Sequence, residues 1–174
     1  MLLAVLSLFF ANPALAARVS LTGGAVSTLY SYSGPISTKG GTGFGGGLLL
    51  EIVRTRAISI EGGGLFLSRR FEDEAAGVTT ARSVSSILVP VTLFIHAGNQ
   101  ASFYLGAGPF FNKVLKFDSY GGAQAQLRLA YRLSSRAELF VGAQYLHGLE
   151  KDEVGIAHRD LLMLLGLSFG GSKK

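Results

Sequence analysis

The chain has 174 residues, 24 of them glycine, with no cysteine or tryptophan, a formal net charge of +5 and only 16% charged residues, yet its mean hydropathy is positive at +0.39. Nearly half the residues are apolar, so a single folded domain is expected rather than disorder. Glycine at this density excludes a helical bundle, because each one inside a helix costs about 1 kcal/mol. The absence of cysteine excludes a disulfide scaffold and thiolate metal sites. Basic residues scattered along an apolar chain make a poor phosphate surface, which argues against nucleic acid as a partner.

Residues 1–17 (MLLAVLSLFFANPALAA) carry no charge. Residues 2–11 have the length of a secretory apolar core, Pro13 breaks it, and Ala14-Leu15-Ala16 is a small-x-small cleavage site. The expectation is a Sec-type signal peptide over 1–17, leaving residues 18–174 as one exported domain. The stretch is too short and too broken for a membrane anchor.

Beyond it the dominant period is two, the period of a strand. Eight segments show it: 18–30, 42–53, 57–68, 84–96, 101–113, 120–133, 137–148 and 159–169. In the sixth, Ala123, Ala125, Leu127, Leu129 and Tyr131 share one face, and Gln124, Gln126, Arg128 and Arg132 the other. Arg54-Thr55-Arg56, Gly98-Asn99-Gln100 and Ser134-Ser135-Arg136 read as three-residue hairpin loops, a length that keeps paired faces in phase. The other connections (31–41, 69–83, 114–119 and 149–158) are longer and read as loops. Short and long connections alternate, as in an up-and-down barrel spanning an outer membrane. The predicted fold is an all-β, eight-stranded antiparallel transmembrane β-barrel. Its apolar face points outward, with interface aromatics at Phe44, Phe66, Phe111 and Tyr145 near the loop end and Phe103, Tyr131 and Phe169 near the turn end. A soluble barrel would place the apolar face inside, and the opposite face here is thin for a solvated exterior.

Two of these segments carry a resemblance. Ile87-Leu88-Val89-Pro90-Val91-Thr92-Leu93, with its mid-strand proline, and Phe103-Tyr104-Leu105-Gly106-Ala107-Gly108-Pro109-Phe110 are similar to strands of the bacterial outer-membrane-protein beta-barrel-domain family (PorT-like and OmpA-like barrels). Residues 121–133 and 161–169 fit the same pattern. The resemblance implies an integral protein of the bacterial outer membrane, a monomer without enzyme activity, contacting outer-membrane lipid and lipopolysaccharide. It also implies passage through periplasmic chaperones and the barrel-assembly machinery. Such proteins usually end on an aromatic, whereas here Phe169 is followed by Gly170-Gly171-Ser172-Lys173-Lys174.

The register directs Glu51, Glu61, Gln124, Gln126, Arg128, Arg132, Glu138 and Gln144 into the lumen. Pairing across the 134–136 turn sets Arg132 opposite Glu138 and Gln126 opposite Gln144, so Arg132→Ala is expected to strand Glu138. Ionised groups in a narrow barrel must be paired or hydrated, so this set is either a structural plug or a gate. Inward glycines (Gly45, Gly47, Gly63, Gly106, Gly108 and Gly142) leave room for water on this reading, and a bulge is expected at each of Pro90 and Pro109.

No catalytic, cofactor-binding or metal-binding residue is expected. Of His96, His147 and His158, His147 at the rim of the seventh segment has no serine near it in sequence, and His158 lies in the following loop near Glu150, Asp152, Glu153 and Asp160. The acidic runs Glu72-Asp73-Glu74 and Glu150-Lys151-Asp152-Glu153 lack calcium-loop spacing, and residues 43–47 precede no helix that would cradle phosphate. The basic turn residues Arg54, Arg56 and Arg136, with Lys173 and Lys174, suit lipid headgroups. Three functions stay open: a structural or interaction barrel displaying its loops, a narrow pore for ions or small solutes, and a lipid-modifying enzyme.

Overall fold

The computed structural model describes residues 18–29, 31–32, 37–115, 119–151 and 157–170, so the predicted leader and the last four residues lie outside the described residues. Among the described residues ten strands form: β1 (Arg18–Thr28), β2 (Ser31–Tyr32), β3 (Ser37–Gly40), β4 (Thr42–Arg54), β5 (Ile58–Ala75), β6 (Val78–Gly98), β7 (Ala101–Val114), β8 (Ser119–Arg132), β9 (Ala137–Lys151) and β10 (Ala157–Phe169). All pairing is antiparallel. Sequence neighbours pair from β4 through β10, β10 pairs with β1 and β1 with β4, so eight strands close a ring without an edge. The eight barrel strands follow the eight alternating segments.

Closure sets a stagger. The register leads from Ala130 through Phe140, Gly166, Thr22, Gly47, Leu65, Leu88 and Asn112 back to β8 at Tyr120, ten residues along the same strand. A shear of that size tilts the strands across the wall and decides which side chains meet inside.

The wall is inverted relative to a soluble barrel. Leu21, Leu48, Val91, Leu93, Leu105, Leu127, Leu129, Val141, Met163 and Leu165 all point outward and are exposed, a continuous apolar band that water would not tolerate on a monomer's surface. Phe44, Phe66, Phe111 and Tyr145 are exposed toward the long-loop end of this band, and Phe103, Tyr131 and Phe169 toward the short-turn end.

Four sequence expectations are corrected. Residues 69–83 are not a loop: β5 and β6 continue through them and turn on Ala76 and Gly77, with φ of 49° and 78°, the left-handed pair of a tight two-residue hairpin. Residues 31–41 likewise hold β2 and β3, and β3 pairs along β5, so a sheet ordered β2-β3-β5-β6 stands beyond the ring. The short turns vary in length, because β7 begins three residues after Gly98 whereas Ala137 follows Arg132 by five. Neither proline makes a bulge, since the β6–β7 register is unchanged on either side of both. Register shifts fall instead at Ile52 of β4, between Glu51 and Val53, and between Ala157 and Arg159 of β10.

The prolines act differently. With no N–H, Pro90 leaves a gap in the β5–β6 ladder and Pro109 one in the β6–β7 ladder. Across the second gap Gln124 Nε2, from β8, donates to the carbonyls of Val91 (3.1 Å) and Pro109 (3.2 Å) and to Thr92 Oγ1 (3.0 Å). A side chain thus supplies the donor that the ladder lost.

Candidate functional site

The lumen is stacked in layers, and alternation explains each one. At the short-turn end, the inward positions of β1, β4, β7 and β9 bring together Arg18, Glu51, Tyr104 and Glu138, with Arg54 at the end of β4. Arg54 Nη1 donates to Glu51 Oε2 (2.9 Å) and Nη2 to Tyr104 Oη (3.2 Å). Tyr104 Oη in turn donates to Glu138 Oε1 (3.2 Å), whose ion partner is Arg18 at 2.9 Å. His96 packs on Tyr104, ring centroids 5.0 Å apart.

The next layer is one fork. Arg128 Nη1 and Nη2 donate to Glu61 Oε2 (3.1 Å) and Oε1 (2.7 Å), and its guanidinium lies 4.2 Å from the ring centre of Phe140 and 4.8 Å from that of Phe94. A bidentate, ring-faced arginine is the arrangement in which a buried charge is best compensated. Gln144 then donates to Gln124 Oε1, with Gln126 beside them in the register.

Above the glutamines Val26, Leu49, Leu65, Leu67, Leu88, Phe110, Leu146, Leu162 and Leu164 fill the bore with apolar side chains. Over this plug sits a fourth ion pair. Arg69 donates from Nε (3.0 Å) and Nη2 (2.8 Å) to Asp160 Oδ2 and from Nη1 to Ser86 Oγ (2.6 Å), while Thr28 Oγ1 donates to Asp160 Oδ1 (2.8 Å). Charge in the bore cancels: Arg18, Arg54, Arg69 and Arg128 face Glu51, Glu61, Glu138 and Asp160.

Of the eight sequence-predicted lumen residues, Glu51, Glu61, Gln124, Gln126, Arg128, Glu138 and Gln144 are buried there. Arg132 is not. Its backbone pairs with Glu138 as read, but β8 ends at Arg132, so the side chain emerges past the mouth and is exposed. Arg132→Ala is therefore expected to change stability by less than about 0.5 kcal/mol, whereas Arg18→Ala leaves Glu138 without its cation and lowers the unfolding midpoint. Thermal scans of both variants, read as loss of the fast-migrating band on a gel, check the assignment. Two of the six inward glycines hold a side chain rather than water: a Cβ at Gly45 would strike Leu67 and at Gly106 the ring of Phe94, and Gly166, outside that set, meets the Phe140 ring in the same way. At Gly47, Gly63, Gly108 and Gly142 a Cβ would instead run into the backbone of the adjoining strand.

The sequence reading missed Arg69 because its segment stopped at residue 68, and it passed over Asp160, which lay inside the eighth segment with inward parity. Continuing the odd positions of β5 past Leu67 reaches Arg69, and the even positions of β10 include Asp160. The apolar plug leaves no local signal, because its leucines come one or two at a time from five different strands.

Beyond the ring, Thr38 Oγ1 donates to Asp73 Oδ1 (2.7 Å) and Arg82 Nε to Oδ2 (2.6 Å), with the Arg82 guanidinium 5.2 Å from the centre of the Phe71 ring. The Thr38 hydrogen bond, with that from Arg82, holds the Asp73 carboxyl below the usual carboxylate range. The sign follows from the lowered value: this contact contributes fully above the unfolded aspartate value of about 3.9 and is lost as pH falls through the lower folded one. Asp73 should titrate below ~3.9 in a carboxyl-carbon NMR titration. A midpoint at or above that value would remove the contact from solution. Of the histidines, His147 packs near Tyr145 with ring centroids 6.4 Å apart, and His158 stacks on Tyr120 at 4.7 Å. Among the described residues no three histidine, aspartate or glutamate side chains converge to hold a metal ion.

No family model and no curated protein matches the chain. Solved structures do. The outer membrane protein OprG from Pseudomonas aeruginosa is similar at a TM-score of 0.68 and 9% identity, over 91% of this chain and 98% of that one. Neisserial surface protein A (NspA) is similar at 0.62 and 14% identity, over 88% and 96%. With its closed ring of eight strands, apolar exterior and ion-paired lumen, the chain has the fold of the bacterial eight-stranded outer-membrane β-barrels.

Proposed function

We propose that the protein is an integral barrel of the bacterial outer membrane that acts outside the membrane, through the β2-β3-β5-β6 sheet, on a bore that stays closed. The apolar plug between two ion-paired layers carries this reading, because a solute path would have to displace leucine side chains as well as part three buried ion pairs and the half-buried Arg54–Glu51 pair. The sheet supports it too: β5 and β6 run 18 and 21 residues, about twice the 9–11 a bilayer needs. In this orientation the short turns are periplasmic, Phe44, Phe66, Phe111 and Tyr145 meet the outer headgroups, and Phe103, Tyr131 and Phe169 the inner ones. Residues 1–17 serve as the export leader. The barrel is a monomer, assembled through periplasmic chaperones and the barrel-assembly machinery, and does no chemistry of its own.

The chain has no native cysteine, so single cysteines report sidedness cleanly. Thr79→Cys is expected to react with a membrane-impermeant maleimide on intact cells, and Asn99→Cys only after the outer membrane is opened. The reverse pattern would overturn the orientation. In planar bilayers the purified barrel should pass no steady current. Discrete, stable conductance steps would favour the narrow pore, whose first solvated atoms would be the enclosed Gln126 Nε2 and Arg128 Nε, which lack a hydrogen-bond partner among the described residues.

A further inference from the structure

The apolar exterior is not smooth. At the short-turn end a groove of about 430 Å³ is cut into it, walled by Phe103, Leu129, Tyr131, Leu139 and Val141 and floored where Ala97 and Ala101 are small. Its size is that of a small-molecule site. The rim is held in place, since Gln100 Nε2 donates to Tyr131 Oη (2.9 Å) and the Arg132 N–H to the Gln100 carbonyl (2.8 Å). Below it two cations reach into solvent: Arg132 past the end of β8, and Arg136 in the turn that follows. Neither has an ion-pair partner among the described residues, because Glu51 and Glu138, the carboxylates of this end, are taken inside the bore by Arg54 and Arg18. Apolar surface at bilayer depth with unpaired guanidinium groups at headgroup height is complementary to one kind of molecule, an amphiphile with a negative head.

We propose that this end of the wall binds one anionic phospholipid of the periplasmic leaflet, with acyl chain in the groove between Phe103, Tyr131 and Leu139 and phosphate on Arg132 and Arg136. The site rests on the outer-membrane reading of the barrel. It gives Arg132 a role outside the lumen and explains why the turn between β8 and β9 is basic.

The test is native mass spectrometry of the full-length purified barrel in mild detergent, offered equal amounts of phosphatidylglycerol and phosphatidylcholine. Phosphatidylglycerol should be retained with roughly tenfold preference, the size expected of two cationic contacts near a headgroup. The Arg132→Gln, Arg136→Gln double variant should lose that preference and the double lysine variant keep it, while Ala101→Leu, which fills the groove, should lower retention of both lipids. Equal retention of the two lipids by the wild type overturns the proposal, and so does a dimer that Ala101→Leu dissolves, which would make a second copy the occupant. Each sample is also run boiled and unboiled: loss of lipid preference with the mobility shift intact sinks the lipid site alone, whereas a wild type with no shift sinks the barrel reading beneath it.

Discussion

Arg128→Ala is expected to cost the barrel about 3–5 kcal/mol, one of the two largest losses expected of a single substitution in the bore. The substitution leaves the Glu61 carboxyl, 5% exposed, with no cation opposite it, and it removes the group clasped between Phe94 and Phe140. Urea unfolding in detergent or lipid, followed by the boiled-against-unboiled mobility shift, measures it. The cost is that of orphaning a charge rather than the worth of the pair, so removing both charges should restore most of the stability. Arg128→Met with Glu61→Gln, which keeps volume and leaves a neutral amide, is expected to recover more than half of the loss. If the double variant is as unstable as the single one, an orphaned charge is not the cause, and the fork contributes through geometry that methionine cannot reproduce.

The second large effect lies at the other end of the plug. Asp160 accepts two hydrogen bonds from Arg69 and one from Thr28, and both members of the ion pair are buried. Asp160→Ala leaves a guanidinium with only Ser86 Oγ opposite it and should cost about 3–5 kcal/mol for the same reason. Asp160→Asn, which keeps an acceptor but not the charge, should fall between. The two layers are separated by the leucine-filled section and share no partner, so the Arg128 and Asp160 effects should add to within about 0.5 kcal/mol. Coupling well beyond that would mean that the plug transmits strain from one layer to the other.

Much of this was legible in the residues themselves. Alternation is local, since successive side chains in a strand point to opposite faces whatever the strand pairs with. That is why eight segments, their outward aromatics and seven of the eight lumen residues could be placed, and why the register across one tight turn could be read as Gln126 opposite Gln144. The misreadings share a cause. Residues 69–83 look like a loop because their charges and the polar Thr79, Thr80 and Ser83 break the apolar alternation, yet outside a bilayer neither face of a strand needs to be apolar. Arg132 shares the inward parity of Gln126 and Arg128, but parity says nothing about where the bore ends.

By itself, then, the sequence determined the number of barrel strands, their facing and their polarity, because these follow from period two and from the need of a membrane-facing wall to be apolar. The partners were decided only by closure. Glu138 takes Arg18 from the first strand, Glu61 takes Arg128 from three strands away, and Asp160 takes Arg69 from across the bore. None of these pairs is adjacent in any hairpin. They follow from a stagger of ten residues around the ring, which sets the height at which each inward side chain enters the lumen. That stagger is a property of the whole closed sheet and is written in no single segment.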